Sequence, residues 1–322
     1  MKNIYFRKIF TLFLLLGVGL ASCLFAYLYN QKTQNDIKII IPKNYPIKKI
    51  ASLLRKNLVI DNKIFFELYA RLVGLSNKKI IAGEYLIPKH SNIFKVLFIV
   101  TNGYVIKHHV TIPEGLTNSQ IIGILSKVHG INTQNKLKKQ YREGDLYPST
   151  YEYLYNTDLN HLLSRMNNKM NAVLAEEWKK RNTKNTRELK NEYNALILAS
   201  IIEKETRFND EKSSIARVYI NRLKNNMPLQ ADPTIIYALT GWNNFHRKIK
   251  YLDLKIESPY NTYLNKGLVP TPICNPGKYS IIAALNPSQG KNLYFVADHS
   301  GRHLFSSSYI GHLKNIKKVR GI

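Results

Sequence analysis

Cysteine is nearly absent: the 322 residues hold only Cys23 and Cys274. Cys23 falls in an apolar N-terminal run and Cys274 far along the chain, so no disulfide forms within a domain. The fold must rest on its core alone, and the length is ample for one or two domains. Acidic residues are also scarce, 21 against 48 Lys and Arg, which leaves a formal charge of +27. Such a balance first suggests nucleic acid. The chain has no basic helix, zinc-finger spacing or RNA-binding aromatic signature, and its N-terminus reads as an export segment, so nucleic acid is excluded as a partner. Anionic phospholipid and an acidic wall polymer remain as electrostatic partners. There is no Gly-Lys-Ser/Thr phosphate loop, no Gly-x-Ser-x-Gly nucleophile elbow and no low-complexity segment.

What is present begins with a basic segment, residues 1–8, followed by an uncharged run from Ile9 to Tyr29. That run is long enough for a membrane-spanning helix, which needs about 20 apolar residues. Lys2, Arg7 and Lys8 ahead of it favour a cytoplasmic N-terminus, with the rest of the chain outside the membrane. Leu20 to Cys23 also fits a lipoprotein signal, but the run stays apolar to Tyr29, which favours an uncleaved single span.

Residues 30–36 form a polar linker. A first domain over 37–107 opens with an alternating strand at Ile37–Ile41, a turn at Pro42–Pro46 and a helix with apolar residues at Ile47, Ile50, Ala51 and Leu54. A second helix is expected over Lys63–Leu72, ending near Gly74, then a strand at Gly83–Pro88 and a helix at Ile93–Val100. Val110–Gly115 restates the opening unit: Ile41-Pro42 aligns with Ile112-Pro113, and Ile50, Leu53 and Leu54 align with Ile121, Ile124 and Leu125. A second domain, 108–322, starts with this duplicate. It continues through helices at Leu162–Trp178 and Glu211–Leu223, a short helix capped by Asp232 with Pro233 in its first turn, and a hairpin around Asp298–Gly301. Helices and strands are mixed without regular alternation, so the fold class is α+β.

The most apolar interior run, Ala195–Ile202, reads as a buried helix or strand and leads directly into Glu203, Lys204 and Glu205. A carboxylate at the edge of such a run is partly desolvated, which favours its protonated form, as general-acid cleavage of an ether-like bond requires. The plain alternative is the solvated end of a helix leaving the core. Glu203 and Glu205 lie two apart, so on a helix they face away from each other. Asp232 and Glu257 are candidates for a second carboxylate, Asp232 equally as a helix cap. A lone acid suits a lytic reaction, in which one Glu protonates the leaving oxygen and then accepts a proton from an internal hydroxyl. His299 and His303 sit on a turn and His108-His109 on a strand, so neither pair makes a metal set, and no cofactor is implied.

Three stretches in order, Leu198–Thr206, Val218–Leu223 and Met227–Thr234 with Tyr237, resemble the endolytic murein transglycosylases, the YceG-like family. Ser258–Tyr263, Gly267–Gly277 and Tyr294–Ala297 continue the match, which runs along essentially the whole chain. The resemblance implies a single-span inner-membrane protein with a small LysM-like α/β subdomain and a larger mixed α+β catalytic domain. It implies non-hydrolytic cleavage within nascent peptidoglycan strands, next to the membrane and alongside peptidoglycan synthases. It also implies Glu203 as the catalytic acid and base, with Gln230, Asp232, Tyr260, Asn261 and Tyr263 lining the cleft. Tyr260, Tyr263 and Trp242 offer flat faces for sugar or for core packing, and Arg222 a partner for a substrate or helix carboxylate. Val269 replaces a proline common in the family, and Cys274 is unusual in its loop. The competing reading is a non-catalytic wall-binding scaffold.

Overall fold

A computed structural model describes residues 2–72, 80–243 and 245–321, with the side chains of residues 2–5 left aside. The expected helix end at Gly74 lies outside the described residues. The chain divides into two compact units, one of Met1–His108 with Tyr153–Asn156, the other of His109–Glu152 with Thr157–Ile322.

The first unit begins with α1 (Lys2–Asn30), of which Phe6–Asn30 is long and apolar enough to cross a membrane, as the core of a signal sequence also is. β1 (Ile37–Ile41) follows, with Ile39 and Ile41 turned inward by the two-residue period of a strand. α2 (Ile47–Lys56) buries Ile50, Ala51 and Leu54, one stripe at helical spacing. α3 (Lys63–Leu72) buries Phe66 and Ala70. β2 (Gly83–Ile87) closes an antiparallel pair with β1, with Ile37 opposite Ile87 and Ile41 opposite Gly83. α4 (Ile93–Thr101) is capped by the Asn92 side chain, which accepts the Lys95 N–H at 3.0 Å. The core of this unit includes Leu28 from the last turns of α1.

β3 (Lys107–Thr111) opens the duplicated segment and leads into α5 (Asn118–Leu125), whose capping box joins Thr117 and Gln120 in both directions. Ile121 and Leu125 are fully buried, as Ile50 and Leu54 are in α2. The short β4 (Ile131–Asn132) pairs in parallel with β6 (Thr157–Asp158), and β5 (Thr150–Leu154) pairs with β3. His108 and His109 do part, His108 meeting Glu84 at 2.8 Å and His109 approaching Glu152 at 3.9 Å.

The second unit is built around α7 (Glu192–Glu205), buried without interruption from Ala195 to Ile202. That burial explains its low amphipathicity: a helix apolar on all sides has neighbours on all sides. They are α6 (Leu159–Lys179), α8 (Asn209–Lys224), α9 (Asp232–Thr240) and α10 (Lys278–Leu285). A 3₁₀ turn, Tyr251–Lys255, lies between α9 and α10. β7 (Tyr294–Ala297) and β8 (His303–Ser306) form the expected hairpin, and α11 (Tyr309–Arg320) packs on it. α10 and α11 were not expected from the sequence.

Candidate active site

The last turn of α7 presents its two glutamates to different surroundings, because residues two apart on a helix diverge. Glu203 enters a fixed polar network. Lys212 of α8 reaches its two oxygens at 3.3 and 3.2 Å, and the Ser280 hydroxyl donates to Oε2 at 2.6 Å. The Gly277 N–H also donates to Oε2, at 3.0 Å, which places the carboxylate at the positive N-terminus of α10. The Lys212 and Glu203 side chains are only 3% and 9% exposed. Every one of these partners donates, and an ammonium is among them, so the network is built around an acceptor anion.

Glu114, in the turn after β3, lies over the same point. A Cβ on Gly277 would come within 1.9 Å of the Glu114 carboxyl carbon, so the close approach requires glycine there. Burial first, and then the neighbouring Glu203 charge, raise the Glu114 pKa, with Lys212 opposing. Lys204 turns away to donate to the Gly115 carbonyl at 3.3 Å, and its ammonium lies 3.7 Å from the centre of the Trp242 ring. Trp242 therefore packs against a cation of α7.

Glu205 faces a cavity of about 560 Å³ walled by Arg222, Gln230, Asp232 and Tyr263, with the β7–β8 hairpin and α11 completing it. It also borders the smaller cavity, about 470 Å³, that holds Glu114, Glu203 and Lys212. Glu205 thus lines both cavities. The Tyr219 hydroxyl donates to it. Burial pushes the Glu205 pKa from its ordinary 4.5 up to about 7; the Tyr219 hydrogen bond and the Arg222 charge oppose this, and the Asp232 carboxylate adds to it.

The cleft wall is made by two loops pinned to each other. Gln230 holds a left-handed backbone at φ 48°, unusual for a residue other than glycine, and its N–H donates to the Thr262 carbonyl at 3.0 Å. The Ala231 N–H donates to the Thr262 hydroxyl, which also meets the Thr234 hydroxyl, both at 2.9 Å. Asn261, fully buried, donates to the Leu254 and Ile256 carbonyls at 3.0 and 2.8 Å and accepts the Tyr263 N–H at 2.9 Å. Its side chain is committed to the loop, and it sets the backbone that carries Tyr263.

Of the five residues expected to line the cleft, Gln230, Asp232 and Tyr263 share the larger cavity with Glu205. Asn261 is scaffold. Tyr260 is half-buried, with its hydroxyl 2.7 Å from that of Thr271 and its ring against Tyr237. Asp232 does not cap α9: the cap position is Ala231, and the Asp232 carboxylate accepts the Tyr263 hydroxyl. Glu257 is exposed and borders neither cavity. Arg222 donates to the carbonyls of Leu293 and Leu229 at 2.7 and 2.8 Å and to the Gln230 side chain at 3.2 Å. His303 contacts Glu211 at 2.8 Å. Glu114 and Lys212 were not singled out from the sequence, although Glu114 lies in the duplicated Val110–Gly115 segment.

The comparisons with known proteins fit this arrangement. An endolytic murein transglycosylase of Bacillus subtilis (strain 168) is 31% identical over 316 residues, covering 89% of this chain and 85% of that protein. One from Streptococcus pneumoniae serotype 2 is 28% identical over 323 residues, covering 87% of this chain and 58% of the longer pneumococcal protein. A crystal structure of a YceG-like protein from Listeria monocytogenes superposes with a TM-score of 0.55 at 30% identity, covering 87% of this chain and 98% of that one. The YceG-like family profile matches residues 39–318, and the chain belongs to that family.

Proposed function

We propose that this protein is a membrane-anchored endolytic transglycosylase that cleaves glycan strands of peptidoglycan without water, with Glu205 as the acid and then the base. The observation that carries this reading is the place of Glu205: it is the acidic residue that lines both cavities, and burial raises its pKa to about 7, so a protonated fraction persists at neutrality. A glycan lying along the cleft would cross Glu205 with sugars on either side. The protonated acid donates to the bridging oxygen as the glycosidic bond breaks. The carboxylate so formed then takes the proton from the C6 hydroxyl of the same muramic acid as that oxygen closes on C1. Atoms balance with no water consumed, and the product carries a 1,6-anhydro ring.

Asp232 lies in the same cavity, so a hydrolytic route with two carboxylates competes. The Tyr263 hydroxyl occupies Asp232 as a donor, which suits it to stabilising positive charge at the sugar rather than to activating water. Mass analysis of fragments separates the two routes. Anhydro ends, lighter by one water than reducing ends, are expected; reducing ends overturn the lytic mechanism, and loss of reducing ends in Asp232→Asn would assign water activation to Asp232.

Glu203 fits a positioning role, a buried anion that ties α7, α8 and α10 together behind the acid. The strand, two helices and returning strand of the first unit support reading residues 37–107 as LysM-like, a glycan-binding module. In this reading 1–8 is a cytoplasmic tail, 9–29 spans the membrane and 108–322 is catalytic. Reporter fusions after Asp36 should then be active only outside the cytoplasm, and Cys23→Ser should leave membrane attachment unchanged. Activity of those fusions inside the cell would reverse the topology, and detachment of Cys23→Ser would establish a lipid anchor.

A further inference from the structure

One face of α3 is apolar and open to solvent. Ile64, Leu68 and Leu72, spaced four apart, are 72%, 55% and 76% exposed. With about 100° of rotation per residue they cover one side of the helix, next to the side that carries Phe65 and Tyr69. Those two rings do have partners. Both meet Phe94 of α4 edge-on, with centroids 5.8 and 5.4 Å apart, and Phe94 in turn packs 5.2 Å from Phe25 of α1. The exposed stripe is therefore continuous, around one helix, with a cluster that ends on the apolar N-terminal helix.

The seat of that helix is just as informative. Leu28 is 1% exposed and belongs to the core of the unit, whereas Tyr27 and Tyr29 beside it remain open. Tyrosines at the end of a spanning helix mark the headgroup level. A unit that takes the last turns of α1 into its own core must sit against the membrane surface, and Phe25 places the aromatic cluster there. Phe98, one turn beyond Phe94, is also exposed and pairs with Tyr104 at 5.8 Å. Lys63 and Arg71 lie with Glu67 along one edge of the α3 stripe, a net basic edge of the kind that phosphate headgroups attract.

We propose that the Ile64–Leu68–Leu72 face of α3 lies in the outer surface of the bilayer that α1 crosses, fixing the first unit against the lipid by a second, interfacial contact. This rests on the spanning reading of α1 given above. A helix with an apolar face and a net basic edge lies in the plane of the interface, with that face among the acyl chains. A single helix leaves a tethered domain free to rotate and lift. A second contact holds the unit at one height, so that glycan is engaged close to the membrane.

The test uses the full chain carrying Cys23→Ser, with buried Cys274 retained, in vesicles containing phosphatidylglycerol. A bimane label is placed at one introduced cysteine: Leu68→Cys on the face, Glu67→Cys on the polar flank of the same helix, or Leu15→Cys within α1. Lipids brominated on their acyl chains should quench the labels at 68 and 15 and spare the one at 67. Quenching at 15 alone overturns the proposal and leaves the anchor standing; no quenching at 15 removes the anchor and the proposal together. Equal quenching at 67 and 68 overturns the sided arrangement. A label at 68 that lipid does not quench, yet is shielded from aqueous iodide, means that the face is covered by protein, which also overturns it.

Discussion

Replacing Glu205 by Gln is expected to reduce glycan cleavage by about 10²–10⁴-fold, and by more if the group serves both proton transfers. The amide keeps the shape and can still accept the Tyr219 hydroxyl, so folding and glycan binding should persist. Glu203→Gln should behave differently. It removes the charge opposite Lys212 and points an amide at a site where the Ser280 hydroxyl and the Gly277 N–H already donate. Its first effect should be on thermal stability, with cleavage retained in the fraction that stays folded. Measuring the melting midpoint and the rate for both variants separates acid from scaffold. A Glu203→Gln protein that melts normally and is inactive would return the catalytic role to Glu203.

The same group sets an expected pH dependence. In the proposed mechanism cleavage begins from protonated Glu205, so kcat/KM should fall as pH rises past about 7. Stability should move in the same direction. The folded pKa is raised above the unfolded one, so between about 4.5 and about 7 the native state holds a proton that the unfolded chain releases. Stability from this group is greatest below that window and declines as pH rises through it. Denaturant midpoints of the wild type should show this slope, and Glu205→Gln should lose it. An unchanged slope in the variant would place the titrating group elsewhere.

These two glutamates also show how far the sequence could be read. The apolar run Ala195–Ile202 marks a buried helix ending in carboxylates, and the spacing of Glu203 and Glu205 shows that they diverge. What it does not carry is which of the two directions leads to open space. That depends on Lys212, Ser280 and Gly277, which arrive from 9 to 77 residues further on and close around Glu203. The position after a core run therefore identified the glutamate held by an ion pair and two further donors, and not the one beside the larger cavity. Asp232 was legible as an α9 residue, but its role turned on the Tyr263 hydroxyl, 31 residues away. Asn261 was legible as part of a motif, and its burial under a 3₁₀ turn converts a polar side chain from ligand to scaffold. Strands, helices and the duplicated unit were readable because local periodicity decides them. α11 was missed because its polar pattern buries no residue, and α10 because its eight residues carry no amphipathic period.

Lys212→Met is expected to be the most destabilising single change at the site, at about 3–5 kcal/mol. The Lys212 and Glu203 side chains are only 3% and 9% exposed, so bulk solvent screens the Glu203 charge poorly once the ammonium is lost. Glu203 would keep the donors Ser280 and Gly277 but lose its opposite charge, with Glu114 packed over the same glycine. Lys212 currently lowers the Glu114 pKa, so its removal should drive Glu114 further toward the protonated form. The penalty belongs to the uncompensated charge rather than to the lost methylenes, which Met restores. Adding Glu203→Gln to Lys212→Met should therefore recover part of the loss, giving a double-mutant cycle with a coupling energy of roughly 1–3 kcal/mol. Chemical denaturation of the four proteins measures it. Additive single effects would mean that the pair is not coupled, and the Glu203 network would then lose its claim to hold α7, α8 and α10 in register behind the acid.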